Sequence, residues 1–204
     1  MDHDRPGRRR LHNRTVVFDG YLRDDGLWEF EAQLTDTKSY VYDDRERGPL
    51  APGRAIHRIG VRLTVDDDLV VRSVEPLMHE IPFSICGEAG QGASALVGTK
   101  VGQGWRRAVD EGLLGTKGCS HLRELLYNVA TVVFQTVSPF REQNGGTAPR
   151  KAGGAMPFFL GGCYSWALER SVVARFFPQH VPPERREARQ SGDAATDPPN
   201  RKLP

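Results

Sequence analysis

Residues 14–34 read RTVVFDGYLRDDGLWEFEAQL, and this stretch decides the fold class. Arg23-Asp24-Asp25-Gly26 lies at its centre. Asp-Gly between apolar runs signals a tight hairpin turn, because glycine accepts the positive φ that such turns need. Beyond the turn, Trp28, Phe30, Ala32 and Leu34 alternate with Glu29, Glu31 and Gln33. A strand sends successive side chains to opposite faces, so the alternation predicts one buried face and one wet face. Residues 14–22 and 27–34 are therefore expected to form an antiparallel hairpin.

A second hairpin is expected between residues 56–65 and 69–74, across Asp66-Asp67-Asp68. On its first strand His57, Ile59, Val61, Leu63 and Val65 share one face by the period of two, so His57 begins the apolar stripe. Residues 43–54, between the hairpins, are rich in turn formers. After Glu75 the pattern changes. Residues 76–82 look irregular, 89–101 form a short helix weakened by Gly90, Gly92 and Gly98, and 105–114 form another. The clearest helix is 121–137, where Leu122, Leu125, Leu126, Val129, Val132 and Val133 recur at helical spacing. Ser120 is placed to cap it and Ser138-Pro139 to stop it. Sheet first and helices second is an α+β order: an antiparallel sheet of two hairpins, packed on one side by the helices after Gly87.

The chain of 204 residues carries 28 Lys+Arg against 26 Asp+Glu, a formal charge of +2. That balance argues against a dedicated nucleic-acid binder. No apolar run approaches the roughly 20 residues of a membrane span. The first residues lack the apolar stretch of a signal peptide, so a cytoplasmic location is expected. Residues 1–13 and 181–204 are too polar to order themselves and are expected to be disordered tails. Between them, 14–140 should be one α+β domain and 141–155 a flexible linker. The piece 156–180 should fold back onto that domain through Phe158, Phe159, Trp166 and Val172-Val173.

Three cysteines, Cys86, Cys119 and Cys163, are an odd number without export signals, so reduced thiols are expected. The segment Gly118-Cys119-Ser120-His121-Leu122-Arg123-Glu124 puts a thiol at a helix N-terminus, where orphan N–H groups favour the thiolate. His121 and Glu124 lie three residues apart, on one side of the first turn. Such a trio can bind a metal or activate a nucleophile. The plainer alternative makes Cys119 a small buried hydrophobe and His121 a polar first-turn residue. Cys86 ends a short apolar segment before a glycine-rich stretch, where backbone amides can surround a ligand; core packing is its ordinary use. His57 by itself is more often a satisfied core histidine than a ligand. His79 and His180 have no evident partners in the sequence.

The chain resembles the bacterial family catalogued as domain of unknown function 2889. The resemblance rests on Arg23-Asp24-Asp25-Gly26-Leu27-Trp28, on Glu31-Ala32-Gln33-Leu34-Thr35-Asp36-Thr37-Lys38, on Ile56-His57 and on Val61-Arg62-Leu63-Thr64-Val65. It continues in Gly118-Cys119-Ser120-His121-Leu122, Glu124-Leu125-Leu126, Gln135, Gly162-Cys163, Val172-Val173 and Phe177-Pro178. Tyr164 departs from the histidine expected after the last cysteine, which leaves the role of Cys163 unassigned. The family implies boundaries and a short list of residues, not an activity.

A fainter similarity, over residues 57–134, is to the U-type iron–sulfur cluster scaffold proteins. It would align His57 with that family's first cysteine, then the hairpin, then Cys86, then Cys119. The aspartate expected after the first ligand is missing, since Arg58-Ile59-Gly60 follows. The similarity implies a scaffold-like fold and a mononuclear site of His57, Cys86 and Cys119, with His121 or an acidic side chain as a fourth ligand. Two thiolates and imidazoles suit zinc or iron, and the sulfurs of Cys86 and Cys119 should then approach within about 4 Å. The first expectation for function is thus a zinc- or iron-binding protein. The second is a small cysteine- or metal-dependent hydrolase or lyase, with Cys119, His121 and Glu124 as candidate catalytic groups. The third is a non-catalytic interaction module.

Overall fold

The computed structural model describes residues 7–146, 156–157 and 159–183. The chain divides into two units, Met1–Phe140 and Arg141–Pro204.

In the first unit β1 (His12–Leu22) pairs antiparallel with β2 (Trp28–Lys38) in an unbroken register from His12↔Lys38 to Leu22↔Trp28. The turn between them closes as expected: the Arg23 amide donates to the Leu27 carbonyl at 2.9 Å, and Gly26 takes φ 81°. Both strands reach further than their apolar residues suggest. β1 begins at His12, inside the segment expected to be a disordered tail, and β2 runs on to Lys38. Polar pairing, described below, holds those extensions. The turn-rich segment contains a small hairpin of β3 (Tyr42–Asp44) and β4 (Gly48–Leu50). β5 (Ala55–Val65) then pairs with β2, and β6 (Val71–Glu80) with β5, giving the order β1-β2-β5-β6, all antiparallel. The expected irregular stretch 76–82 is mostly strand. β6 is an edge, needing ladder donors on one side only, so Pro76 is tolerated there.

The inner face carries the core. Trp28, Phe30, Ala32 and Leu34 of β2 and Ile59, Val61, Leu63 and Val65 of β5 are all buried. Onto them pack α1 (Trp105–Leu113), through Trp105, Val109 and Leu113, and α2 (Ser120–Gln143), through Leu122, Leu125, Leu126, Val129, Val133 and Val137. Each large apolar side chain so buried contributes about 1.5–3 kcal/mol before entropy is counted. Trp105 Nε1 donates to the Leu126 carbonyl at 2.6 Å and ties the two helices together. The architecture is the expected α+β sheet with helices.

Two helical expectations change. The glycine-rich segment is a 3-10 helix over Ser84–Leu96, not an α-helix at 89–101. Its glycines serve close approach: a Cβ on Gly92 would stand 2.1 Å from the Gly112 carbonyl oxygen, so backbone meets backbone at α1. α2 starts one residue early, with Cys119 accepting the first helical bond from the Arg123 amide at 3.0 Å, and passes through Pro139 to Gln143. An interior proline costs about 3 kcal/mol. Val137 is buried just before it, and Phe140 packs edge-on against Trp28 with ring centroids 5.5 Å apart; these contacts offset that cost.

The second unit has its own small cluster. Leu160, Val173 and Val181 are buried, and Phe159, Trp166 and Phe177 meet at ring separations of 4.8–5.8 Å around α3 (Ser171–Phe176). Phe159, Trp166 and Val173 pack together here, and Phe158 lies outside the described residues. The expected linker and final tail lie largely outside them as well.

Candidate metal centre

The buried stripe of β2 does not end at Leu34. The next residue on that face is Asp36, a carboxylate only 2% exposed. Strand register sets Arg14 of β1 beside it on one side and His57 of β5 on the other. The β2–β5 ladder shifts just after this pair, between Asp36 and Thr37, so His57 is the last partner in the regular register. The first turn of α2 then supplies His121 and Glu124 above this row.

Asp36 is the hub. Arg14 donates to it in a fork, Nε to Oδ1 at 2.8 Å and Nη2 to Oδ2 at 2.9 Å. The remaining Arg14 nitrogen, Nη1, donates to Glu124 Oε2 at 2.9 Å and ties β1 to α2. His12 Nε2 lies 3.1 Å from Oδ1, His57 Nδ1 3.2 Å from Oδ2, and His121 Nε2 3.7 Å from Oδ2. The His57 and His121 rings face each other with centroids 4.2 Å apart. Burial by itself would lift the Asp36 carboxyl, but the Arg14 fork, with the charges of Arg14, His12 and His57, outweighs it and holds the group below the usual carboxylate range. Burial pushes the His57 imidazole below its ordinary value, helped by His121 and opposed by Asp36. His121 is likewise lowered by burial and by the Arg14 charge, against Asp36 and Glu124. Both imidazoles are therefore neutral at neutral pH and keep a lone pair.

Ligand atoms of Asp36, His57 and His121 all lie within 4.8 Å of one another, and this is the possible metal-binding group among the described residues. The geometry is compatible with an ion. A His121–Asp36 separation of 3.7 Å is too long for a hydrogen bond. Together with the 3.2 Å of His57–Asp36, it brackets the edge of about 3.4 Å of a tetrahedron with bonds of about 2.1 Å.

Of the residues singled out in the sequence, His57 and His121 belong to this group; Cys86 and Cys119 are not members of it. Cys119 Sγ stands 3.9 Å from His121 Nδ1, on the ring edge away from Asp36, and its amide donates to the Ala89 carbonyl at 3.0 Å. Cys86 is a half-buried free thiol in the 3-10 segment, and Cys163 is exposed in the second unit. Glu124 is engaged as the ion-pair partner of Arg14. His79 is exposed on β6.

Sequence reasoning missed Asp36, Arg14 and His12. A signal for two of them was present. Asp36 follows Trp28, Phe30, Ala32 and Leu34 at the same period of two, and the Asp-Gly turn already fixes Arg14 opposite Asp36. A polar residue at the end of an apolar stripe reads as the end of the strand, and here it is the centre of the site.

The family model described as "Protein of unknown function (DUF2889)" matches residues 12–135, more than half of the chain. The chain belongs to that family. The matched span opens at His12 and includes Arg14, Asp36, His57, Cys119, His121 and Glu124, so the whole polar hub lies within the family's domain. No curated protein and no solved structure matches the chain, and the similarity to iron–sulfur scaffold proteins gains no support from them.

Proposed function

We propose that this DUF2889 domain binds one divalent transition metal at Asp36, His57 and His121, with zinc or ferrous iron the best-matched ion. The observation that carries this reading is the convergence of two neutral imidazoles and one buried carboxylate, with ligand atoms within 4.8 Å of one another. Two histidines and one carboxylate are a recurring donor set for both metals. The Arg14 fork supports it further, since a carboxylate held by an outer partner presents its free lone pairs in a fixed direction. His12 Nε2, 3.1 Å from Oδ1, is a further imidazole nitrogen beside the carboxylate.

A second reading follows from the donor count. Structural zinc sites use four protein ligands, whereas three leave a position for water or substrate. That favours a metal-dependent hydrolase or lyase over a purely structural ion, with the metal supplying an activated water.

The test is elemental analysis of protein purified without chelator, followed by titration of the metal-free protein with zinc and with ferrous iron. Near-stoichiometric zinc or iron is expected, with binding lost in His57→Ala and His121→Ala. Cys86→Ser and Cys119→Ser should keep it. Metal-free preparations that neither take up metal nor gain stability from it would remove this reading.

A further inference from the structure

The two edges of the four-stranded sheet are built differently. β6 is protected: it contains Pro76, its pairing with β5 shifts register twice, and the 3-10 segment packs beside it, with Gly90 against Pro76. Such features keep another strand from adding to an edge. β1 has none of them. It runs for 11 residues with no proline, no lysine and no register shift, and it ends the sheet. Apart from half-buried Phe18, its apolar side chains are left open to solvent: Val16 at 42%, Val17 at 48%, Tyr21 at 46% and Leu22 at 48%.

The sequence of β1 also admits pairing with its own reverse. Val17 is the midpoint of His12–Leu22. Two β1 strands laid antiparallel with a two-fold axis at Val17 overlap over their full length, and facing residues then point to the same side of the sheet. On the outer side Val17 meets Val17, Thr15 meets Asp19, and Asn13 meets Tyr21. On the inner side Val16 meets Phe18, Arg14 meets Gly20, which has no side chain to obstruct it, and His12 meets Leu22. Valine meets valine or phenylalanine, threonine meets a carboxylate it can donate to, and no like charges stand opposite each other. By contrast, an axis at Asp19 would oppose two carboxylates, and one at Arg14 two guanidinium groups.

We propose that β1 is a self-association edge, through which two copies of this chain join antiparallel about Val17 into one continuous eight-stranded sheet. The occupant is a second copy because β1 pairs with itself over its full length, with apolar residues facing apolar residues at the centre and no like charges opposed. Such an interface is isologous and closed, so it gives dimers and not fibres. The inference stands independently of the metal reading.

The experiment is sedimentation of the full chain over a dilution series reaching about 100 µM, a range in which micromolar dimers are populated. The unaltered protein should sediment as a dimer at the top of the series. Val17→Lys places two ammonium groups opposite each other at the axis and should weaken association at least tenfold; Val17→Thr should preserve it. Because residue 17 is on the exposed face, both variants should keep the unaltered unfolding midpoint at the dilute end of the series, where all are monomeric, which separates loss of association from loss of fold. Val17→Cys, oxidised, should yield a dimer linked between position 17 of both copies by peptide mapping. A chain that stays monomeric throughout overturns the proposal, as does a dimer indifferent to Val17→Lys or one that does not cross-link at position 17.

Discussion

Replacing Asp36 by asparagine tests the centre of the structure with the smallest change in shape. The carboxylate is buried and accepts two bonds from Arg14, at 2.8 and 2.9 Å, with His12 and His57 beside it. Asparagine keeps one acceptor oxygen but turns an NH2 group toward a donor, so at least one charge-assisted bond is lost, worth about 1.5–3 kcal/mol. Breaking a fully buried pair would cost roughly 3–5 kcal/mol. Arg14 is 35% exposed and retains Glu124, so water absorbs part of that penalty. A loss of about 2 kcal/mol is expected for metal-free protein, read as a lower urea midpoint near neutral pH. The same variant should lose metal affinity by more than the 10–100-fold typical of an outer-shell partner, read by calorimetric titration. The two readouts separate the roles of Asp36. A destabilised variant that binds zinc as tightly as the unaltered protein would make Asp36 an anchor for Arg14 alone, and would refute the argument for its place among the ligands. A variant unchanged in both would refute the hub itself.

Acidification should destabilise the metal-free protein in two steps. His57 and His121 have folded values below their ordinary 6.5, so below that pH the unfolded chain takes up protons that the folded chain refuses. Stability should begin to fall there, and metal affinity with it; flat unfolding midpoints between pH 7.5 and 5.5 (about two units across the histidine range) would contradict this. The carboxylates act lower: Asp44, held to about 2 chiefly by Arg47, contributes stability that is whole above 3.8 and lost as pH drops through about 2. Arg47 also donates to the Ile56 carbonyl at 3.0 Å, next to His57. Arg47→Ala should therefore cost about 3 kcal/mol by chemical unfolding and weaken metal binding as well. Gly92→Ala should be destabilising by about 1–3 kcal/mol, because its methyl would meet the Gly112 carbonyl; a neutral result would mean that the segment and α1 can separate freely.

What was legible in the sequence followed from local rules. The Asp-Gly turn and the period-two stripe from Trp28 to Leu34 placed the first hairpin, and the Leu/Val spacing after Leu122 placed α2. The errors came where tertiary contacts override local preference. Pro139 reads as a stop, yet Val137 and Phe140 hold the helix through it. Residues 76–80 read as irregular, yet an edge strand accommodates the proline. Residues 12 and 13 read as tail, yet His12 lies against a buried carboxylate.

The candidate site divides along the same line. By itself the sequence determined that His57 begins an inward-facing stripe and that Cys119 and His121 stand at the head of a long apolar helix. Each of these is a fact of periodicity within one element. Which of them meet was decided only by the packing of α2 across β1, β2 and β5, because side-chain direction at a helix start depends on how the helix lies on the sheet. That packing turns His121 Nε2 toward Asp36 and leaves Cys119 on the opposite ring edge. The candidate group it assembles is built on a carboxylate that the sequence had shown only as the polar end of a strand.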